Sequence, residues 1–491
     1  MNGQVRRLFY VLVALFVALI AMTTYWLWKA PDLEAKRGNP QLIVQQLTID
    51  RGKIYASDGK TLFAANRKVR KKGLGRTWYI RTYPSDELAA RPVGYSTIER
   101  SRAGLEESMN DYLTGSNANL DTLFNNTLDK LQGITQRGND VVTSIDADAQ
   151  RVAQQALAGK CGAAVALDPK TGKILVWASQ PTYDPNLVEG HFGQINRVTA
   201  PCEPAAPLLD RVSQGLFIPG STFKVVTAAA ALDSGRVKPT TTFVDRGYCL
   251  EYGKKVLNFA DQSGPEVFGT VTFTEALEHS INAVFCEVGK ELGVRAVLDK
   301  AQDFGFYEEP PVELPSEEIT PSGLYQNGRL YDPKDPNAVD PGRFAFGQER
   351  LQATPLQMAL VAAGVANGGK VMRPTLVDRI VSPKGKVIQQ TSPDTWKEAT
   401  SPQTAAELTA MMTAVVQGGT GTAAQIPGIQ VAGKTGTAET GRTGQNDTWF
   451  IAFAPAQGAR VAIAVALSNQ SGTGGTTAAP IAKEIMEALL R

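Results

Sequence analysis

Ser221 and Lys224 have the residue types and the spacing of a serine nucleophile and its base. Ser221 follows Pro219-Gly220, which predicts a turn, and strong helix formers come after it, so it should lie at a helix N-terminus. A residue three positions further on shares its helix face, about 5–6 Å away at Cβ. A serine hydroxyl attacks poorly until a base removes its proton, and a lysine can be that base when desolvation lowers its pKa. The pair therefore predicts an activated serine nucleophile, favoured further by the positive potential of the helix N-terminus.

The segment Glu278-His279-Ser280-Ile281-Asn282 holds polar groups that could assist Ser221. The Ser280 hydroxyl could relay a proton, and the Asn282 amide could hold a peptide carbonyl. His279 could instead act as a conventional base for Ser221. We favour a structural role for His279, because a histidine at a helix C-terminus interacts well with the helix dipole.

A predicted strand, Val431–Ala438, contains the motif Lys434-Thr435-Gly436-Thr437. Alternation places Lys434 and Gly436 on one face of the strand and the two threonines on the other. Gly436 would let a ligand approach the backbone closely. Lys434 and the threonine hydroxyls are donors that suit a carboxylate, so the strand is predicted to bind the anionic end of a substrate.

The chain also contains an earlier copy of all three short motifs, in the same order. Ser57-Asp-Gly-Lys60 crosses a predicted Asp-Gly turn, and Lys170-Thr-Gly172 lies in an Asp-Pro turn between two predicted strands. Ser108 and Asn110 lie inside a predicted helix. Only the later set has its serine at a helix start and its second lysine within a strand, so we assign the later set to the site.

The segment that carries the later motifs is predicted to have an α+β fold. Two strands open it and three close it, which predicts one antiparallel sheet built from both ends and flanked by helices. The predicted strands are Ala163–Leu167, Lys173–Ser179, Val431–Ala438, Thr448–Ala454 and Arg460–Ser468, and the predicted helices are Thr222–Leu232, Thr274–His279, Asn282–Leu292, Pro355–Asn367 and Pro480–Leu490. Residues 306–345 contain seven prolines and no periodicity, which predicts a long surface loop.

Residues 30–150 are predicted to form a separate, extended module, and residues 151–491 the domain that holds the site. In the first module we predict a hairpin around Asp58-Gly59, a strand over Thr77–Tyr83 and a helix over Arg102–Leu113, and we predict a helix over Ala147–Ala158 that leads into the next module. Six basic residues lie between Arg67 and Arg76. We interpret them as a solvated loop, with contact to anionic lipids or wall polymers as the alternative.

Residues 1–29 are predicted to form a cytoplasmic tip and a transmembrane anchor. Leu8–Trp28 is 21 residues long, uncharged and mostly apolar, which is enough to span a bilayer. Arg6 and Arg7 precede it, so the tip should stay in the cytoplasm and the catalytic domain should lie outside the plasma membrane. A cleaved signal peptide is the alternative, but its apolar region would be shorter and would end in small residues rather than bulky aromatics.

All four cysteines would then lie in an oxidising compartment, where two disulfides can form. Three pairings are possible. Proximity in the sequence alone favours Cys161–Cys202 and Cys249–Cys286, and four buried thiols are the alternative. The chain has no CxxC motif, so no metal site is predicted.

The composition argues against several other functions. Lys and Arg number 50 against 48 Asp and Glu, and this net charge of +2 argues against nucleic-acid binding. The two histidines, His191 and His279, are too far apart for the zinc-binding helix of a metalloprotease. A Ser-His-Asp triad would have to recruit one of these two histidines, which disfavours that mechanism.

Together the later motifs resemble the S-x-x-K, S-x-N and K-T-G signature of penicillin-binding proteins and serine β-lactamases. The resemblance covers most of the chain. Matches to the N-terminal pedestal of class B penicillin-binding proteins are Arg51-Gly52-x-Ile54, Asp58-Gly59 and Gly104-Leu105-Glu106, and matches to the transpeptidase domain are Leu167-Asp168-Pro169-x-Thr171-Gly172, Tyr183-Asp184-Pro185-Asn186, Gly347-Gln348 and Thr354-Pro355-Leu356-Gln357. Tyr55-Ala56-Ser57 departs from the Asp-Arg that the family usually has there.

The residue counts indicate a subclass. About 120 residues separate the apolar segment from residue 150, too few for the glycosyltransferase domain of class A members, and 54 residues follow Thr437, too few for further binding modules. The compact plan is most similar to the short penicillin-binding protein A type of actinobacteria. The resemblance therefore implies a β-lactamase-like transpeptidase domain that follows a pedestal or dimerisation-like domain and one transmembrane helix.

The resemblance also implies a reaction, peptidoglycan D,D-transpeptidation. Ser221 would attack the D-Ala-D-Ala end of a stem peptide, Lys224 would be the base and Ser280 would relay the proton. The backbone N–H groups of Ser221 and Thr437 would form the oxyanion hole, while Asn282, Lys434, Thr435 and Gly436 would bind substrate. The implied partners are stem peptides on lipid II-derived strands, β-lactams, and a membrane lipid II polymerase of the shape, elongation and division type. The resemblance implies no metal or organic cofactor.

Other functions remain as alternatives. A membrane-anchored β-lactamase shares the core but must deacylate with water, and the anchor, the pedestal and the length argue against it. A D,D-carboxypeptidase differs only in its acceptor. A β-lactam sensor would need a zinc protease helix, which the two distant histidines exclude. An inactive division scaffold would be expected to have lost a motif, and all three are complete.

Overall fold

The structure is a computed structural model that describes residues 3–34, 47–70, 77–116, 137–202, 204–261, 264–333, 335, 338–442 and 445–491. It begins with a helix over Gly3–Glu34 that contains the predicted segment Leu8–Trp28. Gly3–Lys29 is long and apolar enough to cross a membrane. This length and composition agree with the predicted anchor.

The N-terminal module is built on a six-stranded sheet. From edge to edge its strands are Val387–Gln390, Val377–Val381, Asp140–Thr143, Ile54–Tyr55, Leu62–Arg70 and Thr77–Thr82. All neighbours are antiparallel except Ile54–Tyr55 and Asp140–Thr143, which pair in parallel. The first two strands come from far downstream, so this sheet joins the two predicted modules.

The local predictions for this module hold with two differences. The hairpin around Asp58-Gly59 is confirmed, and the Asp58 carboxylate accepts hydrogen bonds from the turn's N–H groups. The predicted helix over 102–113 is instead two short helices, Gly104–Ser108 and Asn110–Thr114, because the backbone leaves helical geometry at Met109. The basic segment is a strand rather than a loop over residues 67–70, with exposed basic side chains, and Lys71–Arg76 lie outside the described residues.

A second, five-stranded antiparallel sheet carries the predicted site at its edge. Its strands, in spatial order, are Ala432–Arg442, Gln445–Ala454, Val461–Gln470, Gly162–Leu167 and Ile174–Gln180. Side chains alternate between two cores: Ala163 and Val165 pack on the side of helix Pro355–Ala366, while Ala164 and Ala166 pack on the side of the C-terminal helix. The predicted α+β fold, with a sheet flanked by helices, is therefore confirmed.

Several helix bounds differ from the predicted ones. The helices near the site are Lys224–Asp233, Phe273–Glu278 and Asn282–Asp303, and the last is broken at Gly293, where φ is +77°. The C-terminal helix begins at Gly474 and continues through Pro480, which the sequence predicted as its start. Other α-helices among the described residues are Ala90–Val93, Ala147–Ala156, Phe192–Ile195 and Pro402–Gln417. Other strands among them are Thr242–Asp245, Tyr248–Glu251, Lys254–Leu257, Ala260–Asp261, Gly264–Pro265, Gly269–Thr272, Leu351–Gln352, Lys370–Met372 and Thr395–Glu398.

The prediction of a surface loop over residues 306–345 was wrong. The segment forms strands Gly323–Gln326 and Arg329–Leu330 and helix Pro341–Ala345. Leu324 and Phe344 are buried in the main core. Prolines interrupt the periodicity there, but they start and border short elements rather than exclude them.

Both predicted disulfides are present. Cys161 is bonded to Cys202, and Cys249 is bonded to Cys286. The second bond ties the hairpin of strands Tyr248–Glu251 and Lys254–Leu257 to the helix that begins at Asn282. The hairpin is thereby held beside the predicted site.

Candidate active site

Ser221 lies in a tight turn that leads directly into a helix. Gly220–Phe223 forms a 3₁₀ turn, and the helix Lys224–Asp233 continues from it. The N–H of Gly220 donates to the carbonyl oxygen of Gly347 at 3.0 Å, and a Cβ on Gly347 would lie only 2.0 Å from the carbonyl oxygen of Gly220. Ser221 is partly exposed, and its hydroxyl has no hydrogen-bond partner among the described residues. The turn therefore presents a free hydroxyl on a rigid support.

Lys224, three residues after Ser221, is buried and is held by two oxygens. Its Nζ donates to the carbonyl oxygen of Ser280 at 2.6 Å and to Oδ1 of Asn282 at 2.8 Å. The side chain is 0% exposed. Burial, together with the charge of Lys434, lowers the pKa of Lys224 well below its usual value. The environment therefore favours a neutral amine, as a base requires.

Ser280 joins the two lysines. Its Oγ lies 2.9 Å from Nζ of Lys434 and 3.3 Å from Nζ of Lys224. Ser280 sits between two helices with φ at +60°, a conformation uncommon for residues other than glycine and frequent at functional sites. Burial lowers the pKa of Lys434 to about 7. Lys224, Ser280 and Lys434, which we name the Lys–Ser–Lys cluster, can therefore pass a proton along one row of hydrogen bonds.

Asn282 is already engaged with protein at both ends of its amide. Its Oδ1 accepts from Lys224, and its Nδ2 donates to the carbonyl oxygen of Leu257 at 3.1 Å. One N–H of the amide group is left over. Asn282 therefore positions Lys224 and can still donate one hydrogen bond to a peptide carbonyl.

The strand Ala432–Arg442 packs against the turn that carries Ser221. A Cβ on Gly436 would lie 2.8 Å from the carbonyl oxygen of Pro219. The backbone of the turn that carries Ser221 therefore packs closely against Gly436, where the sequence predicted the close approach of a ligand. The Thr435 hydroxyl lies 2.6 Å from that of Thr420, and Oγ1 of Thr437 accepts from the N–H of Gly474 at 3.1 Å. Alternation thus places Lys434 at the cluster and fixes both threonines on the opposite face.

The other motif residues lie where the sequence analysis placed them. Ser57 and Lys170 are in turns, and the Ser108 hydroxyl donates to the carbonyl oxygen of Glu313. His279 follows the last residue of helix Phe273–Glu278, and its ring stacks on Phe268. These surroundings are consistent with the structural role that the sequence favoured for His279 over a role as base.

Sequence reasoning missed the groups that hold the segment before Ser221. The N–H of Ile218 donates to Oδ2 of Asp447 at 3.1 Å, and the carbonyl oxygen of Ile218 accepts from Nε1 of Trp449 at 2.9 Å. Asp447 is 8% exposed, and burial raises its pKa to about 6 against the effect of the Ile218 hydrogen bond. Asp447 and Trp449 share no motif with Ser221, so only the fold brings them together.

We expect Asp447→Asn to stabilise the protein near neutral pH. The folded state of the natural chain holds the Asp447 proton up to about pH 6, above the unfolded value, so ionisation at higher pH costs stability. Asn keeps an oxygen for the Ile218 N–H without the charge. The gain should be at most about 3 kcal/mol and should shrink as the pH falls through 6. Thermal unfolding against pH tests this, with the exposed Glu439→Gln as control, and a lower melting temperature for Asp447→Asn at neutral pH would contradict it.

Two known families match the chain. The penicillin binding protein transpeptidase domain matches residues 162–487, and the penicillin binding protein A dimerisation domain matches residues 51–141. Peptidoglycan D,D-transpeptidase PbpA of Mycolicibacterium smegmatis is 35% identical over 511 residues, with 100% of this chain and 99% of that protein covered. PbpA of Mycobacterium tuberculosis is 35% identical over 517 residues with the same coverage.

Solved structures show the same similarity. The ceftriaxone acyl-enzyme complex of penicillin-binding protein A from M. tuberculosis has a TM-score of 0.79 and 33% identity, covering 91% of this chain and 100% of that chain. The D,D-transpeptidase domain of a peptidoglycan glycosyltransferase from Eggerthella lenta has a TM-score of 0.75 and 33% identity, covering 90% of this chain and 98% of that chain.

Proposed function

The chain belongs to the penicillin-binding protein transpeptidase family, and we propose that Ser221 is the nucleophile of its reaction. The protein is a peptidoglycan D,D-transpeptidase, a serine acyltransferase that β-lactams acylate. The observation that supports Ser221 is the buried Lys–Ser–Lys cluster, whose first member stands three residues after a free, partly exposed hydroxyl. The earlier Ser57 has no such surroundings among the described residues, because it is exposed in a turn.

In the acylation step, neutral Lys224 takes the proton of Ser221. The two hydrogens of a neutral Nζ satisfy the carbonyl oxygen of Ser280 and Oδ1 of Asn282, which leaves the lone pair for the Ser221 proton. Oγ of Ser221 then bonds to the carbonyl carbon of the penultimate D-Ala, and the bond to the last D-Ala breaks. The proton passes from Lys224 through Ser280 to the leaving amine.

The backbone beside Ser221 is suited to stabilise the tetrahedral intermediate. Thr437 packs against the turn, since its carbonyl oxygen lies 3.2 Å from a Cβ placed on Gly220. The N–H groups of Ser221 and Thr437 would together bind the oxyanion. Loss of one such donor typically costs about 100–1000-fold in rate.

Substrate binding falls to the same elements. Lys434 and the backbone at Gly436 would face the terminal carboxylate, while Thr435 would hold the strand in place from its other face through the Thr420 hydroxyl. The spare N–H of Asn282 would hold the amide on the acyl side. The acceptor amine of a neighbouring stem peptide then attacks the ester carbonyl, Ser221 leaves as an alcohol, and a cross-link results. These reaction steps need only the named side chains and the two peptides, and no further reactant.

Cross-linking of defined stem peptides tests the proposal. We expect the full chain to release D-Ala in step with the formation of peptide dimers, and benzylpenicillin to block both. Release of D-Ala without dimers would instead indicate a carboxypeptidase, and the absence of both products would indicate a scaffold. Mass spectrometry of the peptides distinguishes the three outcomes.

The helix Gly3–Lys29 also supports a membrane location. Arg6 and Arg7 at its start favour a cytoplasmic N-terminus, and the two disulfides favour an extracytoplasmic catalytic domain. Protease added to cells with the wall removed should therefore digest this domain without permeabilisation. Digestion only after permeabilisation would overturn the topology.

We further propose that the anchor and the N-terminal module contact a membrane lipid II polymerase of the shape, elongation and division type. The transpeptidase acts on strands that such a polymerase makes, and the family models that match the chain are those of a dimerisation domain and a transpeptidase domain. Co-purification from membranes should weaken when helix Gly3–Lys29 is exchanged for an unrelated span. Unchanged co-purification would show that the anchor makes no contribution.

A further inference from the structure

The helix that begins at Asn282 is capped by a residue outside it. Its own N-cap residue, Ile281, has an apolar side chain and makes no capping hydrogen bond. The first N–H groups of a helix stay unpaired unless another group accepts from them. Asn258 supplies such an acceptor, because its Oδ1 accepts the N–H of Ala283 at 2.9 Å. Asn258 therefore fixes the first turn of the helix that carries Asn282.

The chain next to Asn258 also holds the Asn282 side chain. Leu257 ends the strand Lys254–Leu257, and its carbonyl oxygen accepts from Nδ2 of Asn282 at 3.1 Å. One turn further along the helix, Cys286 is bonded to Cys249 in the neighbouring strand of the hairpin. The hairpin segment is thus attached to the start of the helix by two hydrogen bonds and one disulfide.

Asn258 is itself held in one orientation. It is buried, and its Nδ2 donates at 3.0 Å to both carboxylate oxygens of Asp245, which is buried too. The same two oxygens accept the N–H groups of Gly247 and Phe268, both at 2.9 Å. Because Asp245 presents acceptors here, the amide must direct its NH₂ group to Asp245 and its oxygen to the helix.

The residues just before Asn282 are held by different contacts. The N–H groups of Ser280 and Ile281 donate to the carbonyl oxygens of Leu277 and Ala276, at 3.2 Å and 2.9 Å. These two bonds belong to the preceding helix and do not involve the hairpin. Loss of the Asn258 cap should therefore displace Asn282 and leave Ser280 in place.

We propose that Asn258 is a positioning residue for acylation, which acts through Asn282 on Lys224. This inference rests on the proposed roles of Ser221 and Lys224. Oδ1 of Asn282 is one of the two acceptors that orient Nζ of Lys224, so a displaced Asn282 would turn the lone pair of Nζ away from Ser221. A misplacement of about 1 Å can cost about 100-fold in rate. Loss of the cap should therefore slow acylation although Asn258 itself touches no substrate.

A double-mutant cycle on the full chain in lipid nanodiscs tests the proposal, with intact mass as the measure of acylation by benzylpenicillin. We expect Asn258→Ala to slow acylation about 10–100-fold. Because Asn258 acts through Asn282, the double variant should be no slower than Asn282→Ala alone, within about twofold. Acylation of Asn258→Ala at the natural rate would overturn the proposal, and so would slowing factors that multiply in the double variant.

The control variant removes a cap from a helix that carries no site residue. Asp146 caps the helix Ala147–Ala156, where its carboxylate accepts the N–H groups of Asp148 and Ala149. Asp146→Ala should lower the melting temperature, as Asn258→Ala should, but leave acylation unchanged. If Asp146→Ala slows acylation as much as Asn258→Ala does, the slowing reflects lost stability and the proposal fails.

Asn258→Asp decides the question if Asn258→Ala does not fold. The variant keeps an oxygen for the Ala283 N–H, but it can face the Asp245 carboxylate only while the two carboxyl groups share a proton. Its acylation rate relative to the natural protein should therefore be near one at about pH 5.5 and at least about tenfold lower at about pH 8. A ratio that does not change with pH would overturn the proposal.

The natural chain and Ser221→Ala are measured alongside, which separates this inference from the proposed function. If the natural chain is not acylated, the proposed function fails and the inference fails with it. If the natural chain is acylated on Ser221 but the slowing factors of Asn258→Ala and Asn282→Ala multiply, only the inference fails.

Discussion

Ser221→Ala is expected to abolish acylation by benzylpenicillin and to lower the cross-linking rate by at least about 10⁴-fold. The substitution removes the hydroxyl that forms the ester. The other hydroxyl of the turn Gly220–Phe223, that of Thr222, is buried and donates to the carbonyl oxygen of Pro219, so it cannot replace Ser221. Because Ser221 is partly exposed and its hydroxyl makes no hydrogen bond among the described residues, the fold should be unaffected. Intact mass of the full chain after incubation with the drug measures the adduct directly.

The chain provides its own matched control for this experiment. Ser57→Ala changes the serine of the earlier S-x-x-K sequence, which lies exposed in a turn, and the variant should be acylated like the natural protein. A lasting adduct on Ser221→Ala would refute the assignment of the nucleophile. Rapid hydrolysis of the drug with only a transient adduct on the natural chain would instead support the β-lactamase alternative.

The contrast between the two serines shows what the sequence could and could not establish. Three short motifs occur twice in the same order, so the motifs alone did not identify the site. Local sequence signals distinguished the two sets of motifs. The Asp-Gly and Asp-Pro turns around Ser57 and Lys170 are specified by residues next to them in the sequence, so these motifs could be assigned to turns without the structure. The sequence also predicted that the strands at both ends of the segment form one sheet, because continuous apolar strands must be covered on both faces. The order of the strands within that sheet was not predicted.

The remaining features depend on contacts between distant parts of the chain. Gly347 supports the Ser221 turn from more than a hundred positions away, and Asp447 holds Ile218 from even further along the chain. No periodicity or turn signal links these residues, so their roles emerge only when the sheet and helices are assembled. The segment 306–345 was missed for a related reason: its short elements are stabilised by burial against the core, as Phe344 is, rather than by local propensity.

Lys224→Gln is expected to slow acylation by benzylpenicillin by about 10²–10⁴-fold, the usual contribution of a general base. Gln can still donate towards the oxygens of Ser280 and Asn282, but it has no basic lone pair for the Ser221 proton. The natural protein should also lose activity as the pH falls through the lowered pKa of Lys224, because the protonated amine cannot accept a proton. The residual activity of Lys224→Gln should lack that decline, and stopped-flow acylation rates across pH measure both effects.

Stability distinguishes loss of a base from loss of the fold. A lysine whose pKa is lowered on folding binds its proton more readily in the unfolded chain, so it destabilises the folded state as the pH falls. Lys224→Gln removes this effect, and its melting temperature should therefore not drop below that of the natural protein at neutral pH. Lys254→Gln, an exposed lysine in the hairpin beside the site, should change neither acylation nor stability. If Lys224→Gln is stable and still acylated within tenfold of the natural rate, the base lies elsewhere, and His279→Gln becomes the variant to measure, since the alternative base is the histidine that follows helix Phe273–Glu278.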